Sequence, residues 1–128
     1  MQNDREYIES AVDQFRTLLE QQRAKFREYL NVLELQEGKI NAEDAEALMT
    51  HSELEAQIVA GISSLQKVIV PMQNLYSSSK AASYNPADAV PVELLQKDLS
   101  DLQSKVLAQN EKNRQLLREY LGNERRMD

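Results

Sequence analysis

Residues 8–33 read IESAVDQFRTLLEQQRAKFREYLNVL. Within that stretch Ile8, Val12, Phe15, Leu19, Gln22, Phe26, Tyr29 and Leu33 recur at alternating intervals of four and three. Such spacing returns to one face of an α-helix, and only Gln22 among these positions is polar. The stretch therefore predicts a coiled-coil seam sustained over nearly four heptads. Asn3, followed three residues later by Glu6, resembles a capping box, in which each side chain satisfies an orphan backbone donor. Gly38 stands where a C-cap glycine belongs, so the expected first helix spans about 4–37. At about 1.5 Å per residue it is on the order of 50 Å long, far more than a compact domain needs.

Working outward, Asn41 is the expected N-cap of a second helix over 42–76, with Glu43 and Asp44 in the first turn where the helix dipole favours negative charge. Its stripe runs from Leu48, His51 and Glu55 into the better-formed Ile58, Ile62, Leu65, Ile69, Met72 and Tyr76. A parallel row of Leu54, Gly61, Val68 and Leu75 widens the apolar face. Gly61 costs about 1 kcal/mol in a helix interior, which suggests a close helix crossing there. Pro71 removes an amide donor and is expected to kink or end the helix near Val70.

Residues 77–90, with three serines in a row followed by Asn85, Pro86 and Asp88, read as a flexible linker. A third helix is expected over 91–121. Its seam is Val92, Leu95, Leu99, Leu102, Val106, Gln109, Asn113, Leu116 and Tyr120. The four-residue pairs Glu93 with Lys97 and Asp101 with Lys105 support it. Gly122 is the expected stop, and residues 123–128 a frayed tail. The fold class that follows is all-α: one helical domain over 1–128, built as an elongated up-down-up three-helix antiparallel coiled-coil bundle.

Composition agrees. Three Gly and three Pro in 128 residues are too few for a sandwich or barrel, whose strands need frequent turns. With no Cys, a disulfide framework, a thiolate zinc site and a thiol nucleophile are excluded. No run approaches the roughly 18 apolar residues of a membrane span, and the first residues lack a signal peptide's apolar core. A cytoplasmic location without membrane insertion is therefore expected. Between Lys39 and Lys67 the chain carries Glu43, Asp44, Glu46, Glu53 and Glu55 and no Lys or Arg. An acidic stretch of this kind repels phosphate backbones and disfavours nucleic acid as a partner.

Catalytic chemistry is missing. His51 is the single histidine, and it lacks the Glu-x-x-His spacing of bundle metal sites. There is no glycine-rich phosphate loop, and carboxylate pairs such as Glu9 with Asp13 belong to solvated faces. The expectation is a non-enzyme with no catalytic residue, metal or cofactor. What stands out instead is where the seam is imperfect. Gln22, Gln109 and Asn113 are polar where a tight bundle favours Leu or Ile. They either fix register, as buried amides do in coiled coils, or mark a seam that waits for a partner. Past Asn113, the residues Leu116, Leu117, Tyr120 and Leu121 exceed what one seam can hide. Arg114, Arg118, Arg125 and Arg126 rim this patch. Val106, Gln109, Asn113, Leu116, Leu117, Tyr120 and Leu121 are the candidate client-binding residues.

Three stretches carry a resemblance: the Leu-rich first helix (Leu18, Leu19, then Phe26 to Leu35), His51-Ser52-Glu53-Leu54-Glu55, and Gln109-Asn110-Glu111-Lys112-Asn113-Arg114-Gln115-Leu116-Leu117. On these the chain resembles the flagellar FlgN-type export chaperones over nearly all its length. The prolines Pro71, Pro86 and Pro91 and the Ser/Ala linker have no counterpart in that pattern. The resemblance implies a small cytoplasmic chaperone for hook-filament junction proteins of the FlgK and FlgL type. Such a chaperone shields the client's helical terminal segment, prevents premature assembly and presents cargo to a component of the flagellar export gate. A monomer or weak homo-oligomer is the expectation, since such a seam closes either within one chain or between two. A structural coiled-coil adaptor that dimerises through the same seams is the competing expectation.

Overall fold

A computed structural model describes residues 2–79 and 86–127. They form three helices: α1 Gln2–Asn41, α2 Ala45–Ser79 and α3 Pro86–Met127. Among the described residues only Ala42, Glu43 and Asp44 lie outside a helix. The protein is an all-α helical bundle, and no described helix is long and apolar enough to cross a membrane.

The stripe that opens the sequence is the spine of the core. Val12, Phe15, Leu19, Gln22, Phe26 and Leu33 are all buried, with Tyr29 half-buried. Ile69 of α2 and Val92, Leu95, Leu99 and Val106 of α3 close over them. The Phe15 and Tyr76 rings lie 5.3 Å apart in a tilted arrangement, joining α1 to the far end of α2. α1 packs along both other helices, whereas α2 and α3 barely meet. Cross-helix bonds give the alignment. Gln22 pairs with Gln66 and Tyr29 with Glu55, so numbers fall along α2 as they rise along α1. Arg23 pairs with Asp98 and Leu33 with Asn113, so numbers rise together along α3.

Element boundaries depart from the local signals for reasons of burial. α1 begins at Gln2, which leaves Asn3 inside its first turn rather than at the cap. The helix also runs through Gly38 to Asn41. Beyond that glycine Ile40 is buried, and hiding an isoleucine is worth about 1.5–3 kcal/mol against a glycine cost of about 1. The stop is a Schellman motif with Glu43 at φ 57°, the only non-glycine residue at positive φ among those described. Asp44 N–H donates to the Lys39 carbonyl and Glu43 N–H to the Ile40 carbonyl, each at 3.0 Å. Asn41 consequently belongs to α1. Asp44 is the N-cap of α2, its Oδ1 accepting from the Ala47 amide at 3.1 Å.

Pro71 neither ends α2 nor marks its last turn. Buried Ile69 and half-buried Met72, Leu75 and Tyr76 hold the helix on past it, and the ring lies exposed where the lost bond meets solvent. Pro91 likewise lies inside α3, held by buried Val92 and Leu95 on its C-terminal side. The expected linker over 77–90 shrinks accordingly: Ser77 to Ser79 belong to α2 and Pro86 to Val90 to α3, while 80–85 lie outside the described residues. Gly122 does not adopt a left-handed conformation, and α3 continues through the expected tail to Met127. Gly61 is not a forced contact. A Cβ there meets only the Lys25 stem at 3.8 Å, ordinary van der Waals distance.

Glu43→Gly follows as a prediction. A left-handed Glu costs about 1–2 kcal/mol that Gly does not, so this exposed substitution raises the unfolding free energy by about 1 kcal/mol in a urea titration.

Candidate functional site

The polar seam positions prove to be an internal lock between α1 and α3. Asn113, 2 % exposed, donates from Nδ2 to the Leu33 carbonyl at 2.8 Å and to Gln36 Oε1 at 3.2 Å. Its Oδ1 accepts from Gln109 Nε2 at 2.9 Å, and the same nitrogen reaches Glu37 Oε2 at 2.9 Å. Lys112 closes the group by ion-pairing with Glu37. That ammonium, helped by the Gln109 amide, holds the Glu37 carboxyl below its ordinary value. An amide so buried keeps all its hydrogen bonds only in one alignment, which is how such residues set register. Of the seven candidate client-binding residues, Val106 and Asn113 are thus inside the molecule and Gln109 is engaged with α1. Leu116, Leu117 and Tyr120 are half-buried and Leu121 is exposed.

The lock also places the end of α3. Its partners are offset by 72 to 80 residues from α1, so Asn41 comes level with about residue 117. The remaining ten or so residues of α3 overhang the α1–α2 turn by on the order of 15 Å. Tyr120 and Leu121 stand on that overhang; Leu116 and Leu117 stand at its root.

Nearer the middle, Tyr29 Oη donates to Glu55 Oε1 at 3.0 Å, linking α1 to α2. Burial, then the charge and hydrogen bond of Glu55, push the phenol up to about 12, with Arg114 of α3 opposing. Because the folded protein keeps this proton where the unfolded chain has lost it, the contribution is complete below about pH 10 and is lost as pH rises toward 12. A Tyr29→Phe variant lacks this part of the alkaline decline, and an ultraviolet difference titration against it shows the missing phenolate forming near 12. His51 is half-buried on α2, and its Nδ1 makes no hydrogen bond among the described residues. No group of three metal-ligating side chains occurs among them either.

One feature escaped the sequence reading. Gln22, Gln66, Gln73, Gln96 and Gln103 line a single groove of about 350 Å3 where α2 and α3 diverge over α1. Gln22 Nε2 donates to Gln66 Oε1 at 2.6 Å at its base. The available signal was the seven-residue spacing of Gln66 with Gln73 and of Gln96 with Gln103, two polar rows flanking the seams.

A protein of Treponema pallidum (strain Nichols), described as uncharacterized, is 38% identical over 109 residues, covering 85% of this chain and 67% of the relative. The chain belongs to that protein's family. No family model and no solved structure matches it. The Treponema relative carries no stated activity, so the family assignment adds shared ancestry and leaves function to be argued from the site.

Proposed function

We propose that the protein is a non-catalytic, cytoplasmic export chaperone of the flagellar type III kind. In this reading it is an elongated up-down-up bundle in which α1 is the spine. It binds the helical terminal segment of a hook-filament junction protein, blocks premature assembly and carries the client to the export gate. The observation that supports this most is the overhang of α3. Leu116, Leu117, Tyr120 and Leu121 stand at or beyond the level where α1 ends, only partly covered, and an apolar helix end of this kind suits capture of an amphipathic helix. Val106, Gln109 and Asn113 then act from beneath by holding α3 in register.

Co-expression with junction proteins tests it. Full-length clients co-purify with the chain, and clients lacking their terminal helical segments do not. Leu117→Asp together with Leu121→Asp abolishes capture while circular dichroism keeps its helical signal. Equal recovery of truncated clients overturns the reading.

The adaptor reading has one observation in its favour, the buried amide lock, since such amides also fix pairing in coiled-coil dimers. Within one chain these amides already have partners on α1 and α3, as the monomeric chaperone requires. Light scattering separates them: a stable dimer that ignores clients supports the adaptor.

A further inference from the structure

In a closed three-helix bundle every pair of helices touches. In a square four-helix bundle each helix touches two neighbours and faces the third across a diagonal. Here α1 packs on α2 and on α3 while those two barely meet, which is the square arrangement with the corner opposite α1 empty. The glutamine groove is that corner. Leu19, Ile69 and Leu99 form its apolar base, and none of the residues lining it is charged, in a chain where 28% are.

The walls continue beyond the groove at seven-residue spacing. Val59 precedes Gln66 and Gln73 on α2, and Leu107, Arg114 and Leu121 follow Ser100 on α3. Val59, Leu107 and Leu121 are 45%, 69% and 51% exposed, although they lie beside the core seams. The Tyr29–Glu55 bond sets Val59 level with about residue 25 of α1, and the Arg23–Asp98 bond sets Leu107 level with about residue 32, so the two stand on opposite walls about one heptad, or about 10 Å, apart along the groove.

We propose that this empty corner seats one amphipathic α-helix of the client, whose inserted face carries aliphatic and amide side chains and no charge. The proposal rests on the client-binding reading above and gives it a site. Helices pack at 8–10 Å between axes, so one helix spans the gap between α2 and α3. Glutamine walls offer both donors and acceptors, which amides on the incoming helix reciprocate. A charged side chain inserted there meets no counter-ion among the lining residues, and desolvating it unpaired is costly. A second copy of this chain fits poorly for that reason, because its outward helix faces hold its Asp, Glu, Lys and Arg.

The probe is a labelled synthetic helical peptide of about three heptads with Leu and Gln at the inserted positions, beside a twin with Glu replacing each Gln. Fluorescence anisotropy with the full chain shows the amide peptide binding and the twin at least about tenfold weaker. Val59→Asp and Leu107→Asp each weaken the amide peptide about tenfold or more, whereas Leu94→Asp, exposed on another face of α3, changes affinity less than about twofold. Circular dichroism confirms that all three variants fold. The proposal is overturned by no binding of the amide peptide, by equal binding of the twins, or by indifference to Val59→Asp and Leu107→Asp. Junction-protein capture that survives those two substitutions removes the groove and leaves the chaperone reading. Peptide binding without any junction-protein capture removes the flagellar reading and leaves the groove.

Discussion

Phe15→Ala lowers the unfolding free energy by about 3–5 kcal/mol, measured by urea denaturation followed at 222 nm. Phe15 is fully buried, touches Tyr76 of α2 at 5.3 Å between ring centres, and belongs to the cluster that includes Val92 and Leu95 of α3. Truncation therefore opens a cavity where all three helices contribute, and long helices joined at one level relax poorly into it. The ring pair loses a further about 0.5–1.5 kcal/mol beyond its area. Against a total stability of about 5–15 kcal/mol this is a large fraction, and the variant shows it as a lower transition midpoint. Phe26→Ala, 8 % exposed, costs somewhat less because part of its ring already faces solvent.

Asn113→Asp has a comparable effect by a different route. The substitution keeps shape and places a carboxylate 2 % exposed against the Leu33 carbonyl and Gln36 Oε1, both acceptors. At neutral pH a charge so placed is uncompensated, and the loss is about 3–5 kcal/mol. Burial raises the new carboxyl's pKa above its unfolded value near 3.9. The folded state then binds the proton more tightly than the unfolded chain. Stability consequently improves as pH falls through the raised pKa and is worst above it. Parallel denaturation of wild type and variant at pH 7 and pH 4 shows the gap narrowing at the lower pH. A gap that is constant with pH means that the site is open to water and that the lock does not hold α3.

Much of the fold was legible from the first helix alone. Six of the seam residues from Val12 to Leu33 are buried as their spacing predicts, because periodicity reports burial and burial dominates the energy. Punctuation was less legible. Gly38, Pro71, Pro91 and Gly122 each oppose a helix locally by about 1–3 kcal/mol, and the first three sit beside side chains whose burial offsets that cost. The helix stop lies instead at Glu43, a residue with no propensity for the left-handed conformation it adopts. Gln22, Gln109 and Asn113 were visible as anomalies, yet sequence alone left open whether their partners lay inside or outside the chain. The answer depends on the alignment of α1 with α2 and α3, a property of two helices together. The glutamine groove was hidden for the same reason, since its rows flank the seams and meet only in three dimensions.

Amide hydrogen exchange on the chain, alone and mixed with a full-length junction protein, tests the client-bound bundle most directly. The predicted result is strong protection of residues 12–33 in both states, with new protection on mixing over 59–73, 96–107 and 116–121. Exchange in those three stretches that is unchanged by the client contradicts it.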